Sequence, residues 1–293
     1  MRKAVLVYNP VAGTGKMAQY LDEALHFLQK KQIIAMPLRT PLQEKLLFSL
    51  LAEGIDYVVA AGGDGTVHQV VNVLARRPSP PPLVVLPAGT SNDFAYNLGL
   101  PSLEAVLPKL DLLQRLTLDL GLAGNRYFIN AATGGLLTDI GYKVDQRLKN
   151  NLGRFAYYLQ GLADLPAFRT FPVEIAVDGK TVYNGEIFLF LIVNGRTVGS
   201  FKDLAPHAST TDGLLDLLVF KRCSLPDFFQ LAFKVLSGRH LDDPNLLYLQ
   251  GATFAISGDG DIPTDLDGEK GASLPWRVQI CHKKLTVLTS VKP

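Results

Sequence analysis

Residues 60–68 read AAGGDGTVH, and this stretch decides the fold. An apolar run, DYVVAA (56–61), ends in three closely spaced glycines, and a segment with helical periodicity follows. Strand, glycine turn and helix in that order make a phosphate-binding element: the glycines admit φ > 0 and close backbone approach, and the helix beginning near Thr66 offers its positive end. The carboxylate of Asp64 sits in the middle of it. Bare phosphates repel an aspartate, so Asp64 is expected to reach Mg2+ through water, an ion held by one or two carboxylates together with substrate phosphates.

The same grammar extends in both directions. From residue 3 to about 121, apolar β-rich runs (AVLVY, IIAMPL, DYVVAA, LVVLP, LTLDLG) alternate with helical stretches. In the first of these, Tyr20, Leu21, Ala24, Leu25 and Leu28 form one apolar stripe. The pattern predicts a doubly wound parallel α/β domain over 1–121, with ligands bound at the carboxyl ends of its strands. After residue 122 the pattern becomes long alternating segments and hairpin turns, with Asp178-Gly179 the strongest turn signal. A β-rich, mainly antiparallel domain over 122–284 follows, with helices near 153–164 and 225–237 and the site in the cleft between the domains. The closing run 285–291 is expected to return to the first domain.

Length and composition agree. The chain has 293 residues, room for two domains at about 150 residues each. A net charge of +2 without a clustered basic face argues against nucleic acid. Cys223 and Cys281 lack metal spacing and are too few for a disulfide framework, so reduced thiols and a cytoplasmic address are expected. The first apolar run ends at Asn9-Pro10, short of a signal-peptide core, and no run approaches the ~20 residues that span a bilayer. A homo-oligomer stays open.

The loop NPVAGTGKM (9–17) is not a P-loop: that pattern needs glycine where Pro10 stands and a hydroxyl where Met17 stands. On its residues alone it reads equally as a phosphate cradle or an ordinary strand-to-helix turn. A serine hydrolase is excluded because GTSND is not G-x-S-x-G. The five histidines are scattered without ligand spacing. DLDGE (265–269) gathers three carboxylates in five residues, suited to accepting a proton or sharing a metal, and equally readable as an exposed turn.

GGDGT together with PAGTSNDFA (87–95) resembles the diacylglycerol kinase catalytic-domain family, especially its soluble bacterial lipid kinases; GGDGT also occurs in NAD kinases and, in a related form, in phosphofructokinases. The similarity extends to NPVAG (9–13), APHASTTDGLLD (205–216) and TDLDGEKGASLP (264–275), nearly the whole chain. It implies an ATP site of Asn9, Pro10, Val11, Ala12, Gly13, Thr40, Gly62, Gly63, Asp64, Gly65, Thr66, Val67, His68 and Thr90, with Asn92 and Asp93 in a polar network beside the phosphates. It implies a structural Mg2+ on the Asp212 carboxylate and the Ser209 and Leu214 carbonyls. It also implies catalysis by Glu269 and Asp267, assisted by Asp119. The implied activity is phosphorylation of a lipid primary hydroxyl, diacylglycerol to phosphatidic acid, by an enzyme docked peripherally on the inner membrane surface. On their residues alone Arg147, Lys149 and Arg154 read either as a patch that draws it to anionic lipid or, more commonly for such a helix, as a solvated face. Other acceptors (a sphingoid base, ceramide, another lipid or NAD) and a silent nucleotide-binding regulator are the alternatives; the intact DLDGE argues against the last.

Overall fold

The computed structural model describes residues 2–13, 15–136, 169–198, 201, 203–258 and 262–290. The predicted helix near 153–164 and the cations Arg147, Lys149 and Arg154 lie outside the described residues. The chain forms two compact units, one of Met1–Asn130, Thr210–Gly213 and Cys281–Pro293, the other of Ala131–Ser209 and Leu214–Ile280.

In the first unit, β1 (Arg2–Tyr8), β2 (Ile33–Arg39), β3 (Tyr57–Gly62) and β4 (Leu83–Pro87) are parallel and ordered β2-β1-β3-β4. Ala4, Val5, Leu6 and Val7 are fully buried in succession, as are the residues of β4. A strand covered on both faces must be apolar at every position, which is why these runs do not alternate. The connecting helices are α1 (Lys16–Lys30), α2 (Glu44–Leu50) and α3 (Asp64–Leu74). α1 docks through Ala24 and Leu28, and the other residues of its stripe pack on the same core. Right-handed crossovers put α1 on one face of this sheet and α2 and α3 on the other. The strand order reverses between β1 and β3, and in such sheets ligands bind at the carboxyl ends of the strands at this point.

After β4 come two short helices, α4 (Asp93–Asn97) and α5 (Leu103–Val106), then a 3-10 turn over Leu107–Leu112. β5 (Gln114–Ala123) follows and folds back on β6 (Arg126–Phe128). That hairpin carries the first unit to Asn130, beyond residue 121. Near the end of the chain Val287 pairs in parallel with Leu83.

The second unit contains β7 (Ala131–Gly135), β8 (Phe171–Val177), β9 (Lys180–Val193), β10 (Leu215–Lys221), β11 (Leu246–Gly251), β12 (Thr253–Gly258), β13 (Thr264–Leu266), β14 (Glu269–Lys270) and the first part of β15 (Trp276–Thr289). Its pairings among the described residues are antiparallel. Asp178 and Gly179 both have positive φ, the condition of a type I′ turn, and join β8 to β9. β9 is the spine of the unit: its first half pairs with β8 and its buried half, Ile187–Val193, lies between β7 and β10. The helix α6 (Leu225–Leu236) starts at Ser224, whose hydroxyl accepts the Asp227 N–H, and packs Phe228 edge-on against Phe188 at 4.7 Å.

The last turn of α6 is tied by Lys234, whose Nζ lies 2.7 Å from the buried Asp243 Oδ2. Burial works to raise the Asp243 carboxyl, but hydrogen bonds from Lys234 and Asn245 outweigh it and hold the group below its ordinary value. A carboxyl whose folded value is depressed contributes stability above its unfolded value and loses it as pH falls through the folded one. Lys234→Met is therefore expected to cost about 1–3 kcal/mol at neutral pH by stranding a buried acceptor. Urea melts at pH 7 and pH 3 check this, with the difference between the two proteins shrinking at the acid value.

Candidate functional site

Three strand-to-helix loops of the first unit meet at the switch point. The Asn9 N–H donates to the Ala61 carbonyl at 3.0 Å, tying the exit of β1 to β3, and the Ala88 N–H donates to the Gly62 carbonyl at 2.9 Å, tying β4 to β3. The Thr40 N–H donates to the Tyr8 carbonyl at 3.0 Å, bringing the end of β2 alongside. The backbones approach so closely that side chains are excluded. A Cβ on Gly89 would lie 2.4 Å from the Gly63 Cα, and one on Gly13 would lie 2.6 Å from the Ala88 carbonyl oxygen.

Side-chain amides and carboxylates brace this platform. Asn9 Oδ1 accepts the Val11 N–H at 3.1 Å, shaping NPVAG into a tight turn that leaves Val11 exposed. Asn92 pairs with both the N–H and the carbonyl of Gly89, at 2.9 and 2.8 Å. It occupies the residue before α4 in the left-handed region, and its side chain closes the PAGTSN loop without capping the helix. Asp64 opens α3, and its Oδ1 accepts the Phe94 N–H at 3.3 Å. The carboxylate in the glycine loop thus links the GGDGT turn to the start of α4. Asp93 is buried beside it, whereas Thr90 is exposed.

Two residues predicted for this site face elsewhere. Val67 is buried in the core, and the His68 side chain turns toward β6, its Nε2 lying 3.3 Å from Asn72 Nδ2 and 3.4 Å from an Arg126 nitrogen. Asn72 in turn pairs with both the N–H and the carbonyl of Tyr127, at 2.9 Å each. The helical period carries the side chains at positions 67 and 68 away from the loop, where Val67 and His68 hold α3 in place.

The TTDG turn is organised by Asp119. This β5 residue is wholly buried: its Oδ2 accepts the Gly213 N–H at 2.7 Å, and its Oδ1 accepts the Lys283 N–H at 2.7 Å. His282 Nδ1 lies 2.9 Å from the same Oδ1. The Asp119 N–H donates to the Thr210 carbonyl at 2.8 Å, so one residue grips the turn at both ends. Buried, with both oxygens accepting from neighbours, Asp119 positions Thr210–Gly213. The turn leaves the Asp212 side chain exposed, with Gly213 at φ +80°. A carboxylate and the Ser209 and Leu214 carbonyls are hard oxygen donors of the kind Mg2+ takes, with waters completing the shell. Among the described residues no group of three or more acidic, histidine or cysteine side chains could hold a metal, so a cation would depend on carbonyls, waters and phosphates.

In the second unit DLDGE is a hairpin. Asp267 and Gly268 both have positive φ and form the turn between β13 and β14. Asp267 Oδ1 accepts the Ala131 N–H at 3.0 Å while the Asp267 N–H donates to the Ala131 carbonyl, also at 3.0 Å, pinning the turn to the start of β7. Asp265 Oδ1 accepts the Gly268 N–H at 2.8 Å. Glu269 is exposed, and its carboxylate has no hydrogen bond or ion pair among the described residues. The three acids therefore divide: two shape the turn and the third stands clear of it.

Sequence reasoning missed Gly89, although the PAGTSND motif contains it, because close approach to Gly63 is a fact of packing. It missed His282 and Lys283 altogether, which sit 163 and 164 positions from Asp119 and carry no local signal. Gly89→Ala is expected to cost about 1–3 kcal/mol by overpacking the loop junction. Asp119→Asn should lower the melting temperature by several degrees, since an amide NH2 would face a backbone N–H that now donates to a carboxylate oxygen. Thermal melts of both variants measure this.

Comparison with known proteins places this geometry. The diacylglycerol kinase catalytic domain matches residues 3–123, and the YegS C-terminal NAD kinase beta sandwich-like domain matches residues 138–289. The chain is 36% identical to a diacylglycerol kinase of Bacillus subtilis (strain 168), over 98% of this chain and 96% of that one. It is 33% identical to a diacylglycerol kinase of Staphylococcus aureus (strain MRSA252), over 94% and 88%. Among solved structures, a diacylglycerol kinase from Bacillus anthracis str. Sterne superposes with a TM-score of 0.78 at 25% identity, covering 99% of this chain and 97% of that one. An NAD kinase from Archaeoglobus fulgidus solved in complex with ATP shares the fold alone, with a TM-score of 0.55 at 14% identity over 98% and 92%. With glycine loops at the switch point, an Asp119-anchored TTDG turn and a DLDGE hairpin, the chain belongs to the diacylglycerol kinase family.

Proposed function

We propose that this protein transfers the γ-phosphoryl group of ATP to the primary hydroxyl of diacylglycerol, giving phosphatidic acid. The observation that carries this reading is the three-loop backbone platform at the switch point, in a chain similar over its full length to diacylglycerol kinases. The first unit would hold the nucleotide. The start of the GGDGT loop and the positive end of α3 suit polyphosphate oxygens, while the Asn9, Val11 and Ala12 N–H groups are spent on shaping NPVAG beside them and Asn92 braces the third loop. Phosphoryl transfer needs mainly positioning and charge stabilisation, which a platform of interlocked backbones provides.

The hairpin supplies the base. Glu269 takes the proton of the acceptor hydroxyl, the oxygen forms its bond to the γ-phosphorus, and the bridging oxygen leaves with ADP. Asp267, spent on the Ala131 backbone, orients the turn that presents Glu269. Mg2+, when bound, neutralises phosphate charge; Asp64 would meet it through water, and Asp212 with the Ser209 and Leu214 carbonyls would hold a structural ion. Peripheral docking on the inner membrane surface and a cytoplasmic address belong to the same reading. Among the described residues no helix is long and apolar enough to cross a membrane.

The division between the acids gives a test. Glu269→Gln is expected to lower kcat by roughly 10² to 10⁴, the usual worth of general-base assistance, with nucleotide affinity unchanged. Asp267→Asn should lower both turnover and melting temperature, because it also loosens the β13–β14 turn. Labelled ATP with a panel of diacylglycerol, ceramide, sphingosine and NAD in mixed micelles identifies the acceptor. Transfer to NAD in preference to every lipid would replace the reading, and wild-type turnover by Glu269→Gln would remove that residue from the chemistry.

A further inference from the structure

The first unit has a second concavity at the opposite end of its sheet. It has a volume of about 180 Å³, opens to solvent, and is lined by residues from the beginnings of the strands: Ala4 and the exposed Arg2 of β1, Ile33 of β2, Tyr57 and Val59 of β3, Val84 of β4 and the exposed Arg115 of β5. Leu28 near the end of α1 closes one side, with Leu113 beyond the 3-10 turn. The glycine loops follow the far ends of the same strands, about 20 Å away along the seven residues of β1. This cavity is therefore separate from the proposed nucleotide platform.

Its chemistry is two-sided. The walls are aliphatic, yet the lining includes two guanidinium groups and a phenol and no acidic residue. Arg2 is held in place: one nitrogen donates to the Lys31 carbonyl at 2.9 Å, another lies 3.5 Å from the Tyr57 hydroxyl, and the guanidinium sits 5.8 Å from the Tyr57 ring centroid. Arg115 forms no hydrogen bond or ion pair among the described residues. A fixed cation and an uncommitted one thus share the lining of an apolar cavity. Ile34 and Leu112, chain neighbours of the lining segments, are 52% and 75% exposed, so apolar surface continues outside it.

We propose that this cavity binds a single-chain anionic amphiphile, an oxyanion head on an acyl tail. Guanidinium groups pair with carboxylate or phosphate through two parallel hydrogen bonds, and the two heads share that recognition. The tail gains by leaving water for the aliphatic walls. Size limits what enters: about 180 Å³ is below the roughly 300–1,000 Å³ of sites that enclose a whole drug-sized ligand, so the cavity takes a segment of one tail. Fatty-acid carboxylates and single-chain phosphate monoesters are the two sources of such a ligand.

Titration calorimetry below the critical micelle concentration tests this with four probes sharing a twelve-carbon tail: dodecanoate, dodecyl phosphate, dodecyltrimethylammonium and the neutral dodecyl maltoside. Each is run on the full-length wild type, on Arg115→Gln and on Leu113→Trp. The two anions should bind the wild type with one site, and the cation and the neutral probe at least tenfold more weakly. If only one anion binds, that head is the source. Arg115→Gln should weaken the anions about tenfold and leave kinase turnover without amphiphile unchanged, as expected of a charge-assisted contact remote from the glycine loops. Leu113→Trp should weaken both anions by filling the cavity, which separates this site from an acceptor-lipid site elsewhere on the chain. Equal binding of the cation, no binding of either anion, or anion binding unaltered in both variants would overturn the proposal.

Discussion

The contact between Gly63 and Gly89 governs the first unit. Two loops can share one small volume only if neither carries a Cβ, since a methyl on Gly89 would fall 2.4 Å from the Gly63 Cα. This closeness lets the exits of β3 and β4 exchange a backbone hydrogen bond, lets Asn92 close its loop on Gly89, and brings Asp64 to the Phe94 N–H. The strand order brings the loops to this point, and the missing side chains let their backbones meet there.

Carboxylates in this protein act first as fasteners. Asp119 fastens TTDG to β5 and to the Lys283 backbone, Asp267 fastens the DLDGE turn to β7, and Asp64 fastens GGDGT to α4. A carboxylate accepts several backbone N–H groups at once and holds loop segments that no sheet ladder reaches. The chemistry proposed for Glu269 depends on such fastening: an exposed carboxylate is useful only on a turn whose position is set by its neighbours. Acid clusters in a sequence therefore mix two jobs, and burial and partners separate them.

Much of the architecture could be read directly. The continuous apolar runs and helical stripes gave the parallel sheet, Asp178-Gly179 gave a hairpin, and GGDGT gave a glycine loop between strand and helix. The proposed roles of the site residues were less legible. The resemblance implied Asp119 as a catalytic assistant, and its burial and partners reveal a clamp on the TTDG turn that no local pattern announced. Val67 and His68 were implied as part of the nucleotide site at the start of the helix, and a turn of about 100° per residue carries their side chains to another face.

By itself the sequence determined what depends on local pattern: strand and helix periods, the turn residues, the apolar runs that must be buried and the motifs that mark the family. Tertiary structure alone decided what depends on chain segments remote from one another. It set which glycines face backbone, which of the DLDGE acids stays uncommitted, and that Thr210–Gly213 joins the first unit although its chain neighbours belong to the second. The physical reason is that periodicity is written in neighbouring residues, whereas a buried carboxylate such as Asp119 finds its partners, Gly213 and Lys283, more than ninety positions along the chain, where only folding brings them within 2.7 Å.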